Sequence, residues 1–288
     1  MPELPEVETV RRGLKELLPG RVVSTVVFDV PKSFPNAPAD VDGFLVGAKI
    51  TDVRRRAKVL LIDLSSSHTL VIHLKMTGQL VFRGETAFGA GHPNDSLIGE
   101  LPDKSTRVSL KFSDGSTLYF NDQRKFGWMK IIPTLEVPEI DFMKKVGPEP
   151  LESDFKAEQF RQRFTRRART NIKAALLDQT VVAGVGNIYA DESLWGAKIH
   201  PKRLVGSVSR TEFNVLYTEL REVMNLAIEK GGSTDRNYVN AEGKRGSYMD
   251  FARVFRREGL PCPRCGTVII KFKAAGRGTH ICPFCQQL

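Results

Sequence analysis

The chain has 288 residues, 41% hydrophobic and 26% charged, the balance of a soluble folded protein with core enough for two domains. A formal net charge of +10 points to a polyanionic partner, above all nucleic acid, with a merely basic protein as the plain alternative. No run of about 18 apolar residues is present, and the start is acidic and proline-rich, so neither a transmembrane helix nor a signal peptide is expected and a cytoplasmic location is.

The first six residues are Met1, Pro2, Glu3, Leu4, Pro5 and Glu6. Met1 precedes a small, ring-closed residue, so its removal is expected, leaving Pro2 with a free secondary amine. An α-amino group has a pKa of about 8, so part of it is unprotonated near neutrality. Such an amine can attack an electrophilic carbon and form a Schiff base. Glu3 and Glu6 offer one carboxylate to move a proton and one to hold the amine. The plainer reading is that Pro2 and Pro5 open a helix and the acids complement its dipole.

Val7, Val10, Leu14 and Leu17 recur at helical spacing, and Pro19-Gly20 ends that helix. Strands are predicted from Val22 to Val30, Lys49 to Val53, Val59 to Leu64, Thr69 to Leu74, Val108 to Phe112, Thr117 to Phe120 and Trp128 to Ile132. Many short strands with Gly-rich turns indicate an antiparallel sandwich or barrel. Gly84 to Ser105 reads as a long surface loop, and Pro133 to Pro150 as an interdomain linker. The pattern then turns helical: Phe155, Phe160 and Phe164, then Ile172 to Leu177, Ile188 to Leu194 and Arg210 to Lys230, closed by Gly231-Gly232. A polar loop, Ser233 to Met249, leads to the cysteines.

Cys262, Cys265, Cys282 and Cys285 form two Cys-x-x-Cys knuckles separated by 16 residues, a spacing that suits one structural zinc and a β-hairpin between the knuckles. Four thiolates close the coordination shell, so this metal activates no water. Lys271, Lys273, Arg277 and His280 on the hairpin suit phosphate contact. The glycines Gly184 and Gly186 before Asn187 make a helix start suited to phosphate, with Asn187 as the cap. Glu192 reads as a pairing or capping group. Met76 and Phe126 are either wedges for a base stack or ordinary core, with Arg124 facing an orphaned base in the first case. Arg54 to Lys58 is a basic run, either a solvated face or a phosphate grip.

Seven ordered motifs carry a resemblance over nearly the whole length. They are Pro2 to Thr9, Arg55 to Lys58, His73 to Gly78, Arg124 to Gly127, Gly147 to Pro150, Gly184 to Ala190 and the cysteine ribbon. The chain resembles the bacterial formamidopyrimidine-DNA glycosylase family. The resemblance implies an α+β fold: an N-terminal antiparallel β-sandwich flanked by helices, then a helix–two-turn–helix domain with a C-terminal zinc ribbon. The expected division is 1–132 for the catalytic sandwich, 133–150 for the linker, 151–250 for the helical domain with its lesion loop and 251–288 for the ribbon. The implied activity is base-excision repair: removal of 8-oxoguanine and formamidopyrimidines from double-stranded DNA, then β,δ-elimination at the abasic site. One zinc and a monomer are expected.

By the same resemblance, Pro2 is the nucleophile, Glu3 the acid/base group and Glu6 a support of the N-terminal site. Lys58 contacts phosphate and assists β-elimination, and Arg277 grips phosphate and is assigned to δ-elimination. His73 and Asn187 hold further phosphates. Met76, Arg124 and Phe126 fill the gap left by an everted base. Lys173 lies near the extruded purine, and Arg236 and Tyr238 belong to a loop that covers it. That loop and the opening motif favour oxidised purines over the oxidised pyrimidines of the endonuclease VIII branch. Three features depart from the family pattern. Ser105-Thr106-Arg107 replaces a frequent His-x-His, Phe255-Arg256 replaces Tyr-Gly, and the loop from Gly84 is long. The rival readings are a lesion-binding DNA protein without chemistry and a zinc-ribbon protein of RNA or the ribosome. Neither needs a nucleophilic N-terminus.

Overall fold

The computed structural model describes residues 2–28, 31–92, 94–233 and 247–288, and the chain forms two compact units, described separately below. The first comprises residues 1–144 and 230–247, the second 145–229 and 248–288. Lys230 to Ser233 group with the first unit, where the Ser233 amide donates to the Glu6 carboxylate.

In the first unit, helix α1 (Leu4–Leu17) precedes strand β1 (Val23–Phe28), helix α2 (Pro38–Phe44) and strands β2 (Ile50–Arg56), β3 (Val59–Leu64) and β4 (His68–His73). Strands β5 (Gly78–Arg83), β6 (Ala87–Gly91), β7 (Thr106–Phe112), β8 (Thr117–Asp122) and β9 (Trp128–Pro133) follow. Two antiparallel sheets result, with strand orders β1-β7-β8-β5-β6 and β2-β3-β4-β9. One core joins them. Leu60, Ile62 and Ile72 from one sheet pack with Leu80, Phe82, Leu110 and Phe120 from the other and with Val7, Val10 and Leu14 of α1. The other face of the smaller sheet buries Val59, Leu61, Val71 and Ile132 in a cluster with Val137, so β3 is apolar on both sides.

Two expectations are corrected here. Gly84 to Ser105 is not one surface loop: β6 pairs with β5, and Phe88, Ala90 and Leu97 are buried. Phe88 fits against α1 because Gly13 has no side chain; a Cβ there would lie 2.1 Å from the ring. The stretch Pro133 to Pro150 is not an open linker. It holds a 3-10 segment, Thr134–Glu139, and helix α3 (Asp141–Lys145). Strand β5 was missed altogether.

The second unit contains helices α4 (Ala157–Phe164), α5 (Ile172–Leu177), α6 (Asn187–Gly196) and α7 (Arg210–Glu229), close to the predicted spans. Phe160 and Phe164 of α4 pack edge-on or tilted against Phe213 of α7, and Phe160 also against Tyr217, the contacts their helical spacing implies. Strands β10 (Ile270–Ala274) and β11 (Arg277–Ile281) form the ribbon hairpin. Ala275 (φ 51°) and Gly276 (φ 69°) make its two-residue turn, both left-handed as the twist of a tight hairpin requires. Among the described residues no helix is long and apolar enough to cross a membrane.

Candidate nucleic-acid interface and metal centre

Pro2 is buried at the head of α1, and Glu3, 3% exposed, stands at its N-cap in an extended conformation. Glu6 holds this start in place. Its Oε2 accepts the Glu3 amide at 2.8 Å and its Oε1 accepts the Ser233 amide at 2.8 Å. One turn on, Glu8 pairs with Arg55 of β2 at 3.1 Å, and Arg55 donates to the Ala57 carbonyl at 2.9 Å. Burial pushes the Glu8 carboxyl up, but hydrogen bonds from Arg11 and Arg12 and the Arg55 charge prevail and hold it below its ordinary value. The β2–β3 turn, with Ala57 at φ 51°, is thereby fastened to α1, and it carries Lys58.

His73, at the end of β4, accepts the Lys75 amide on Nδ1 at 3.0 Å. Burial, then the charges of Lys75 and Lys58, bring its pKa down to about 3. The ring is therefore neutral at physiological pH, with Nε2 left as the N–H donor.

Met76, Arg124 and Phe126 come together. Arg124 Nη1 lies 3.1 Å from the Met76 sulfur, and its guanidinium sits 4.9 Å over the Phe126 ring. Met76 is 38% and Phe126 44% exposed, which excludes the core reading of both. Asp122 joins the two turns that carry them. One oxygen accepts from the Thr77 hydroxyl and the Arg124 amide, the other from the Gly127 amide at 2.6 Å. No sequence pattern singled out Thr77 or Asp122. The departing segment Ser105-Thr106-Arg107 serves this same corner: Arg107 is buried and donates to the Asp122 carbonyl at 3.0 Å.

In the second unit, Gly186 is the cap of α6 and Asn187 its first residue, a correction to the expected cap. The Asn187 amide instead donates to the Gly278 carbonyl at 2.9 Å, beside the exposed Arg277. Lys173 is fully buried, with its ammonium 2.6 Å from Asp191 and 2.7 Å from the Thr279 hydroxyl, so it braces the hairpin. His280, expected to reach phosphate, is buried as well: its amide and Nδ1 meet the second Asp191 oxygen at 3.0 and 3.2 Å. Glu192 accepts the amides of Arg253, Val254 and Phe255 at 2.8–2.9 Å and the Tyr248 hydroxyl at 3.0 Å. Burial pushes its carboxyl above the ordinary range despite these donors. Arg236 and Tyr238 lie outside the described residues.

The four cysteine sulfurs lie within 4.8 Å of one another. Cys265 is 3.4 Å from Cys282 and 3.5 Å from Cys285, too far for a disulfide near 2.05 Å. Sulfurs about 2.3 Å from one tetrahedral ion stand roughly 3.8 Å apart, so this donor set fits one structural zinc.

Three family models match the chain: the formamidopyrimidine-DNA glycosylase N-terminal domain over residues 1–129, the H2TH domain of the same glycosylase over 146–238, and a zinc finger found in FPG and IleRS over 259–288. The chain is 43% identical to a formamidopyrimidine-DNA glycosylase of Pediococcus pentosaceus, with each chain covered in full. It is 42% identical to that of Desulforamulus reducens, covering all of this chain and 99% of the relative. A Lactococcus lactis Fpg variant solved with Fapy-dG containing DNA superposes with a TM-score of 0.88 at 36% identity, each chain fully covered. A MutM structure with carbocyclic 8-oxo-G containing DNA gives 0.86 at 36% identity, again over both full chains.

Proposed function

The chain belongs to the formamidopyrimidine-DNA glycosylase family, DNA glycosylases with AP lyase activity, and from that membership we propose how its residues divide the work. It excises oxidised purines, 8-oxoguanine and formamidopyrimidines, from double-stranded DNA in the bacterial cytoplasm and then cuts the abasic strand.

With Met1 removed, the Pro2 amine attacks C1′ of the damaged nucleotide. The C1′–N bond to the base breaks and its electrons leave with the base, which takes up the proton shed by the Pro2 nitrogen. The Glu3 carboxyl gives a proton to the sugar ring oxygen, the ring opens and a C1′ iminium on Pro2 remains. Loss of a C2′ proton expels the 3′ phosphate, and a second elimination expels the 5′ phosphate. Lys58 assists the first through its phosphate contact and Arg277 the second. Water then releases the sugar remnant from Pro2. His73 and Asn187 donate to backbone phosphates, while Met76, Arg124 and Phe126 fill the gap in the stack. The zinc supplies no chemistry; its four thiolates shape the hairpin that bears Arg277.

The observation that carries this reading is the N-terminal frame: Pro2 buried, Glu3 buried beside it, and the Glu3 amide held by the two-sided Glu6 carboxylate. A mere DNA binder has no use for it. The test is borohydride trapping on a duplex with 8-oxoguanine opposite cytosine, comparing the native chain, Pro2→Gly and a chain extended by one N-terminal residue. A covalent adduct, weakened by the substitution and lost on extension, is expected. No adduct despite tight binding and proven removal of Met1 would leave a lesion-binding protein without chemistry. Lactococcus lactis Fpg has also been solved with DNA containing an oxidised pyrimidine, which favours a wider substrate range as the second reading. Competition between purine and pyrimidine lesions in one reaction decides it.

A further inference from the structure

Asp122 is the last residue of β8 and is fully buried, yet it takes no part in the chemistry above. Its partners lie on two separate turns. Thr77 follows Met76 directly and precedes β5; Arg124 and Gly127 bracket Phe126. β5 and β8 pair at this point, Gly78 opposite Asp122, so the carboxylate closes the open end of that ladder. Both turns contain a lysine forced into the left-handed region, Lys75 at φ 50° and Lys125 at φ 56°. Such residues cost about 1–2 kcal/mol each, and something outside them must hold the conformation. The contacts on Asp122 do so. Gly127 has room to offer its amide because it lacks a Cβ, which would lie 2.7 Å from the Phe120 ring and 3.1 Å from the carboxylate itself.

We propose that Asp122, acting with Thr77, is a positioning residue that assembles Met76, Arg124 and Phe126 into one rigid wedge before DNA arrives. The proposal rests on the reading that these three side chains fill the gap left by an everted base. Preassembly matters energetically. Unstacking a base step costs a few kcal/mol, and a wedge that must also order itself adds its own side-chain entropy to that cost. One carboxylate spanning both turns removes the second term. It also couples the three side chains, so that displacing one turn displaces the other.

The experiment uses Asp122→Asn, Thr77→Val and Thr77→Ser in the full chain. A duplex carries a tetrahydrofuran abasic analogue with 2-aminopurine beside it, and fluorescence at saturating protein reports insertion of the wedge. Asp122→Asn and Thr77→Val should each lose most of the fluorescence rise. They should also slow excision of 8-oxoguanine from duplex roughly ten- to a hundredfold, the scale of a misplaced group. Borohydride trapping on a single-stranded abasic oligonucleotide, which has no stack to fill, should stay within about twofold of wild type on the same argument. Thr77→Ser keeps the hydroxyl and should restore the signal. The proposal is overturned if both variants insert normally, or if trapping on the single strand falls as far as excision from duplex, since the defect would then be general misfolding. Met76→Ala and Phe126→Ala separate the two levels. If they insert normally too, the gap-filling reading itself fails.

Discussion

Glu6 and Ser233 are 227 positions apart in sequence and are joined by a 2.8 Å hydrogen bond, while the same carboxylate holds Glu3 with its other oxygen. Glu6→Gln replaces one acceptor by an NH2 group that must face an N–H. A buried unpaired donor costs about 1–3 kcal/mol. Urea titration should show a loss of that size, and borohydride trapping should slow because the Pro2 frame loosens. An unchanged urea midpoint would count against the two-sided grip.

The Lys173–Asp191 pair is fully buried on both sides. Asp191→Asn removes the carboxylate paired with a buried ammonium and should cost about 3–5 kcal/mol. Lys173→Met should cost less, because Asp191 keeps the amide and ring of His280 as donors. Denaturant unfolding of the two variants checks the order. Equal losses would mean that the ammonium is solvated.

His73 titrates at about 3, below the usual value for histidine near 6.5. Between these values the unfolded chain binds a proton that the folded chain does not. This contribution to stability is therefore complete above pH 6.5 and declines as pH falls towards 3. The ring resonances of His73 should stay flat in NMR from pH 8 to about 4. His73→Phe should flatten the acid limb of the stability profile. A ring that titrates near 6.5 would refute the neutral state.

Zinc should be present at one ion per chain by native mass spectrometry and absent in Cys282→Ser. Chelation should abolish hydrogen-exchange protection in β10 and β11, since closed thiolate sites hold small ribbons folded. Protection in β3 and β4, which belong to a separate unit with its own core, should persist.

Arg256 has φ 58°, a left-handed conformation that costs a side chain about 1–2 kcal/mol. Arg256→Gly should raise the thermal midpoint by a few degrees, offset in part by the loss of the arginine's stacking over Phe255. A lower midpoint would mean that the arginine's contacts outweigh its backbone strain.

Much of the fold was legible because periodicity reports burial. Helices α4 and α7 follow from Phe160, Phe164, Leu216, Leu220 and Val223 at helical spacing, and the zinc site follows from four cysteines at ribbon spacing. β6 was not legible. Its Ala-Phe-Gly-Ala-Gly composition has no β-branched residue, and it is a strand only because β5 offers an edge and Gly13 makes room for Phe88. Lysine and histidine in a basic protein read as surface charge, so the burial of Lys173 and His280 depends on Asp191, whose role no local pattern reveals. Thr77 and Asp122 were missed for the same reason: their bond links positions 45 residues apart.

Three of the four groups that Glu192 accepts from are main-chain amides, which every residue except proline possesses. The fastening of the segment ahead of the ribbon is therefore blind to side-chain identity. Drift at positions 253–255, including the exchange of a tyrosine for Phe255, leaves that anchor intact. A ribbon exchanged between relatives meets this joint wherever the receiving helix carries a glutamate at the place of Glu192 and the graft brings no proline, while Thr279 and His280 must still find Lys173 and Asp191.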